Sequence, residues 1–514
     1  MNIERARQLF HDPPIEARPA PFWFWNDRLR PERLVEQLDR LLDAGMGGVV
    51  MHARSGLDPD EYLDERWFAA VDAVLARAAQ RGAFAWIYDE LGWPSGTAGG
   101  RIPRAHPEFR MRHLRMEDIV VDGGAFEPDW ADDDVVAAFH VTRTDPNRGR
   151  QRRHDGGLLL LADRIRCEPI ELPVRFEEWP GERLLIFHTV CRQGAADYFN
   201  PAATAAFLTS THQEYFRRYG PYFGATIRHA FMDEAGMFAG PAELPWAAGY
   251  EEEFQTRRGY ALAPQLPALF FDTPGHETVR YDFWSLCAEK FRDGFAKPMD
   301  AWCREHGIAY SGHYVFEATL KEAVRQLGAT MPLYEYQGLP GIDILGNDFY
   351  TRRFEQEAYA YYVVTIKQAA SVVRQLGKPG LMSESYGVSG PAMGPEALQA
   401  ATNFQFALGV TFICHHAAYY SIRGQRKRDC PGFFDWRQPY WRFFPKHLDA
   451  IARTGWLLSQ GNPVCRTLLV HPASSMQAAY RQFRTHEEYK AENYLYDADL
   501  PFEVIDKHFT LMSS

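Results

Sequence analysis

Two glutamates, Glu234 and Glu384, each close a short apolar run: Ile227-Arg228-His229-Ala230-Phe231-Met232-Asp233-Glu234 and Gly380-Leu381-Met382-Ser383-Glu384. A third run, Phe84-Ala85-Trp86-Ile87-Tyr88-Asp89-Glu90, ends the same way. Each reads as a buried strand with acids at its carboxyl end, followed by turn residues and then helical sequence. Cleaving a glycosidic bond takes two carboxyl groups. One protonates the leaving oxygen, and the other attacks the anomeric carbon or activates a water. Glu234 and Glu384 are the expected catalytic pair. Asp233 and Glu234 sit on opposite faces of an ideal strand, so at most one of them is expected to face a shared site.

Further polar residues end the other apolar runs. His52 and Arg54 close Gly47-Gly48-Val49-Val50-Met51-His52-Ala53-Arg54 and, two apart, share a face. His313 and Glu317 follow the run from Ile308, Glu335 and Asp343 flank a short run at Gly341, and His415 and His416 end the run from Val410. Asp89, Glu90 and Trp93, in a tight turn, suit sugar hydroxyls, and Trp25 and Asn26 end the first run, Pro21-Phe22-Trp23-Phe24-Trp25-Asn26. Together with Asp233, these are the candidate substrate-binding residues. Aromatic side chains at such ends, among them Trp23, Trp25, Trp93, Tyr419 and Tyr420, suit the C–H faces of sugars.

A set of strand ends can share one mouth only if the strands are parallel neighbours. The expected elements alternate accordingly. Helices are expected over 31–44, 65–80, 202–219, 278–306 with a kink at Pro298, 354–376 and 395–408, between eight strands. Alternation of this kind predicts an α/β fold, a (β/α)₈ TIM-type barrel in which residues at the carboxyl ends of the strands build the site. The helical rhythm breaks between about 110 and 190, where short alternating runs predict strands. The expected organisation is a first part of the barrel over 1–109, a β-rich insertion over 110–195, the remainder of the barrel over 196–462, and the start of a further, incomplete α/β unit over 463–514. Arg466 to Pro472 is the expected first strand of that unit.

Composition excludes several classes. The chain has 514 residues and a formal net charge of −11, which argues against nucleic acid as a partner. Its one basic cluster, Arg423 to Arg428, reads as a solvated loop. The 7 cysteines are scattered without a CxxC pair and read as buried free thiols of a reducing compartment. The N-terminus lacks an apolar signal region and no run approaches membrane-spanning length, so a cytoplasmic protein with no membrane partner is expected. Zinc motifs such as His-Glu-x-x-His and the Gly-x-Ser-x-Gly elbow are absent. Carboxylates and backbone carbonyls would suit Ca²⁺ better than zinc. No organic cofactor is implied.

Four strings, Phe22-Trp23-Phe24-Trp25-Asn26, Gly47 to Arg54, Tyr88-Asp89-Glu90-Leu91-Gly92-Trp93-Pro94-Ser95-Gly96 and Ser383-Glu384-Ser385-Tyr386-Gly387, resemble the α-L-rhamnosidases of glycoside hydrolase family 106. The resemblance covers most of residues 20–465. It implies a (β/α)₈ barrel, removal of terminal α-L-rhamnose with inversion, and a calcium ion near the sugar. Carried onto this chain, it makes Glu234 the acid and Glu384 the base; Trp25, Asn26, His52, Arg54, Glu90 and Trp93, read from the strand ends, are expected to hold the sugar. Family members usually continue into β-sandwich domains after the barrel. Two alternatives stay open. One is a retaining β-galactosidase-like barrel with Glu384 as nucleophile, although such enzymes carry Asn-Glu where this chain has Asp233-Glu234. The other is a catalytically inactive carbohydrate-binding protein. Carboxylate separations of about 5–5.5 Å and about 6.5–9.5 Å distinguish retention from inversion.

Overall fold

A computed structural model describes residues 2–120, 131, 134–143, 151–152, 158–159, 165–170, 183–317, 319–345, 356–461, 463–465 and 469–489. Strands β1 (Ala20–Trp25), β2 (Gly48–Ala53) and β3 (Phe84–Leu91) begin a barrel. An insertion follows with β4 (Arg110–Val120), β5 (Val135–Arg143), β6 (Gln151–Arg152), β7 (Leu158–Leu159), β8 (Ile165–Pro169) and β9 (Arg183–Ala196). The barrel resumes with β10 (His229–Ala235), β11 (Glu243–Trp246) returns to the insertion, and β12 (Ala309–Tyr314), β13 (Leu339–Ile344), β14 (Met382–Ser385) and β15 (Phe412–Tyr419) complete the barrel. The closed order is β1-β15-β14-β13-β12-β10-β3-β2, and every pairing in it is parallel. This is the expected (β/α)₈ barrel, with at least one helix after each strand. A second, antiparallel sheet has the order β11-β4-β9-β5-β8, in which β11 pairs with β4.

Local chemistry explains the regular parts. Helix Glu65–Gln80 starts where the Asp64 carboxylate accepts the N–H groups of Arg66 and Trp67 at 2.8 and 2.9 Å. Helix Pro31–Asp43 starts on a proline, whose missing N–H costs nothing in a first turn. Gly312 in β12 has φ +116°, and a Cβ there would lie 1.8 Å from the Met232 carbonyl oxygen, so only glycine lets β12 approach β10.

Two expected helices are interrupted. The 202–219 segment breaks at Thr211, which leaves helical geometry while its hydroxyl donates to the Phe207 carbonyl at 2.8 Å. The 278–306 segment widens into a π turn over Arg292–Ala296, just before Pro298. Proline cannot donate to the Gly294 carbonyl, and the Thr204 hydroxyl does so instead, at 2.7 Å.

The core has two shells. Phe22, Phe24, Trp86, Tyr88, Phe231, Phe412 and Tyr419 fill the barrel lumen. A larger shell, including Trp23, Trp25, Trp67 and Tyr215, lies between strands and helices. In the C-terminal segment, helix Ala473–Ala479 and Tyr480 pack on the barrel helix His276–Phe291, with Trp284 and Tyr480 ring centroids 5.1 Å apart. Part of the strand expected over 466–472 lies outside the described residues, as do 490–514. Residues 469–472 carry no strand. All seven cysteines are free, but only Cys287, Cys303 and Cys414 are buried as expected; Cys167 and Cys430 are half-buried, and Cys191 and Cys465 are exposed. No described helix is long and apolar enough to cross a membrane.

Candidate active site

The carboxyl ends of the barrel strands meet around His313. Its Nε2 lies 2.9 Å from Glu384 Oε2 and 3.1 Å from Asp233 Oδ1, so one imidazole on β12 ties β14 to β10. The Tyr88 hydroxyl donates to the other Asp233 oxygen. His416 Nε2 stands 3.7 Å from Glu384 Oε1. Among the described residues, Asp233, His313 and Glu384 form the one group of three whose ligand-type atoms all lie within 4.8 Å of one another.

Glu234 reaches the same place through a bulge. The β10–β12 register slips between Asp233 and Ala235, and Glu234 takes φ +49°. One extra residue breaks the two-residue alternation. Asp233 therefore bonds His313 while Glu234 is also close enough to feel the charges of Asp233, His313, Glu384 and Glu317. Strict alternation placed at most one of the two acids in the site. The bulge brings both.

Arg54 forms one wall. Its guanidinium lies 4.4 Å from the Phe24 ring centroid and 4.2 Å from that of Trp93, and it pairs with Asp429 through bonds of 2.7 and 2.9 Å. Trp93 is 47% exposed, an aromatic face open at the rim. His52 stacks on Tyr88 with centroids 3.5 Å apart, below Arg54. Glu317 accepts the Tyr334 hydroxyl at 2.5 Å and the Asp343 N–H at 3.1 Å. Asp343 stands opposite Glu384 in the β13–β14 ladder, and its buried Oδ1 finds no partner among the described residues.

Several expected binding residues lie elsewhere. Trp25 alternates with lumen-facing Phe24 and points to the helices, 4.8 Å from Trp67 by ring centroid. Asn26 clamps Ser421, donating to its carbonyl at 3.0 Å and accepting its N–H at 2.9 Å. Asp89 faces the outer shell, where the Ser95 hydroxyl donates to it at 2.5 Å and His212 Nε2 lies 3.9 Å away. Glu90 folds its own loop: its carboxylate accepts the N–H groups of Leu91, Gly96, Thr97, Ala98 and Gly99. His415 packs among Tyr386, Phe434 and Phe444 in the outer shell. Glu335 is exposed and precedes β13, so it lies at the opposite end of the barrel from the mouth. In each case strand phase or position in the turn decides the placement. Trp25→Leu is expected to lower stability by on the order of 2 kcal/mol and to leave KM unchanged. Thermal unfolding beside steady-state kinetics checks this, and a raised KM at unchanged stability would place Trp25 in the site after all.

Tyr88 and Asp429 were missed from the sequence. Tyr88 had a signal, since it continues the inward phase of Phe84 and Trp86. Asp429 had none, because it arrives on a loop 375 positions after Arg54. That loop is also tied down: Arg426 and Arg423 each reach Asp27 at 3.2 Å, and Arg426 donates to the Gly56 carbonyl at 3.1 Å. Within the basic cluster Arg426 thus docks on the ends of β1 and β2, while Arg423, Lys427 and Arg428 stay exposed, as expected of a solvated loop.

A family model described as alpha-L-rhamnosidase, that of glycoside hydrolase family 106, matches residues 194–497, more than half of the chain. The chain belongs to this family. A curated relative from Formosa agariphila, carrying a provisional beta-glucuronidase name, is 22% identical over 534 aligned residues, covering 92% of this chain and 43% of the relative. A solved rhamnosidase from Novosphingobium sp. PP1Y superposes with a TM-score of 0.61 at 15% identity, covering 89% of this chain and 61% of that one. A cold-adapted beta-galactosidase from Rahnella sp. R3 gives 0.52 at 12% identity, covering 95% and 64%. These likenesses support the barrel. The chain spans less than half the length of the curated relative.

Within this rhamnosidase-family barrel the acids differ in proton affinity. Burial, then the charge of Asp233, raises Glu234 to about 7. Burial and then Asp233 also raise Glu384, while the His313 hydrogen bond and charge oppose them. Burial works against a charged His313, but its bonds to Asp233 and Glu384 win and hold it well above the usual value. Burial likewise opposes ionisation of Asp233, yet His313 and Tyr88 keep it below the usual carboxylate value. His416 is held neutral by burial and then by Arg54, near 3. The arrangement thus offers a carboxyl that keeps its proton near neutrality beside a carboxylate gripped by a cationic imidazole.

Proposed function

We propose that the chain hydrolyses terminal α-L-rhamnosides with inversion, Glu234 acting as general acid and Glu384 as general base. The observation that carries this reading is the pair itself. Two glutamates from the fourth and seventh barrel strands converge on the Asp233–His313 pair, and Glu234 holds its proton to about pH 7. Glu384 takes a proton from water as its oxygen bonds to the anomeric carbon. The carbon–oxygen bond to the leaving group breaks, and Glu234 gives that oxygen its proton. Positive charge that develops on the sugar ring is met by ionised Asp233 and Glu384. Arg54 adds little opposing positive charge, since Asp429 neutralises it. Trp93 supplies an apolar face at the rim. Support for rhamnose and for inversion comes from the family likeness.

Calcium fits one feature of this site. Asp343 would help to hold the ion, because Ca²⁺ takes oxygen ligands and Asp343 Oδ1 is buried without a partner among the described residues. The ion would anchor sugar hydroxyls and offset the crowded carboxylates.

The test is turnover of 4-nitrophenyl glycosides, with NMR of the first-formed sugar anomer, in added calcium and in chelator. Expected are rhamnoside hydrolysis, release of the inverted anomer, and loss of rate in chelator. Turnover of a β-galactoside or β-glucuronide in place of the rhamnoside would overturn the substrate, and a retained anomer would make Glu384 a nucleophile. A folded chain that binds rhamnose without hydrolysing any rhamnoside would be a carbohydrate-binding protein.

A further inference from the structure

The catalytic bulge lies where the barrel ladder fails. β3 and β10 pair only through Ile87↔Ala230 and Tyr88↔Phe231, although both strands run further. On the far side of the bulge, the Ala235 N–H donates to the Met232 thioether sulfur, at 3.4 Å, a weak acceptor. Glu234 itself sits at φ +49°, a conformation a glutamate keeps only when its surroundings impose it.

Ser95 fills the gap. Its N–H donates to the Asp233 carbonyl at 2.9 Å, and its Oγ accepts the Asp233 N–H at 2.9 Å. The single residue thus bonds both backbone groups of Asp233, as a neighbouring strand would. The Ser95 hydroxyl has one proton, and it goes to Asp89 Oδ1 at 2.5 Å. This turns a lone pair toward Asp233. Asp89 and Ser95 are both fully buried, so no water competes for these bonds.

The loop that carries Ser95 is itself fixed. Glu90 gathers the N–H groups of residues 96–99. The Tyr198 hydroxyl donates to the Ser95 carbonyl. Gly96, at φ +125°, lies so close to Tyr198 that a Cβ would stand 2.8 Å from the ring. The chain of support runs from Glu90 through the loop to Ser95, and from Ser95 to the backbone next to the acid.

We infer that Ser95 is a positioning residue, aligned by Asp89, that holds the Asp233–Glu234 bulge and so aims the proton donor at the leaving oxygen. The inference rests on the acid role given to Glu234 above. A misaimed acid matters most where the leaving group needs its proton.

Ser95→Ala is therefore compared with the wild-type chain on methyl and 4-nitrophenyl α-L-rhamnosides, beside hydrogen exchange of the 231–236 backbone. Expected is a fall in kcat of about 10²-fold on the methyl glycoside, less than about fivefold on the nitrophenyl one, with unchanged KM and faster exchange at Asp233. Equal losses on both substrates, or no loss on either, would overturn the inference. If Ser95→Ala does not fold, Asp89→Leu keeps the hydroxyl but removes its alignment and is read by the same ratio. A wild-type chain silent on rhamnosides would defeat the proposed function instead. Exchange at Asp233 then decides the clasp alone, and protection unchanged in the variant would refute it.

Discussion

Glu384→Gln is expected to lower kcat by roughly 10²–10⁴-fold, the range that general acid–base catalysis supplies, with little change in KM. Water must lose a proton as it attacks, and the amide cannot take one. The variant keeps an oxygen that can accept from His313, which stands 2.9 Å from the carboxylate. The barrel around it therefore has no reason to open. Neutralising a buried acid whose proton affinity is already raised also relieves the repulsion from Asp233. Melting temperature should hold or rise as activity falls. Steady-state kinetics beside thermal unfolding checks both halves. Retention of a tenth of wild-type activity would remove Glu384 from the mechanism, and a parallel collapse of stability would recast it as a structural acid.

The barrel was legible because its eight strands are short, apolar and separated by helices with plain start and stop signals. Pro31, Gly45 and Gly82 mark such boundaries without help from the rest of the chain. The acids at strand ends were legible for the same reason, since a buried apolar run that ends in a carboxylate must deliver that charge to a polar mouth or to a partner. What was not legible is phase. Phe22-Trp23-Phe24-Trp25 is apolar on both faces, because a barrel strand is buried on both. Nothing in that string says that Phe24 meets Arg54 while Trp25 meets Trp67. The same ambiguity favoured Asp89 and Glu90 over Tyr88, the residue of the three that bonds Asp233. Glu234 fails in the other direction. The two-residue period allowed only one of Asp233 and Glu234 to face the site, and a one-residue bulge brings in both. Asp429 belongs to a third kind of miss, a contact between chain segments hundreds of residues apart that only the closed barrel brings together.

Glu234→Gln carries the larger consequence of that bulge. It is expected to reduce kcat by about 10³-fold on alkyl rhamnosides, within the range for a lost general acid, and far less on nitrophenyl ones, whose leaving groups depart without a proton. Its pH dependence follows from the same carboxyl. Glu234 must be protonated to act, so wild-type activity is expected to fall as pH rises through about 7, and this alkaline limb should vanish in the variant. Stability runs the same way. The folded chain holds the Glu234 proton more tightly than the unfolded chain does. Its contribution is fully present below the ordinary glutamate value of 4.5 and is lost as pH rises through about 7. Glutamine has no charge to bury, so above pH 7 the variant should melt at a higher temperature than the wild-type chain. A variant that is less stable at pH 8, or that keeps the alkaline limb, would move the acid role to another residue. Glu317, which burial also raises to about 7, would be the first to examine.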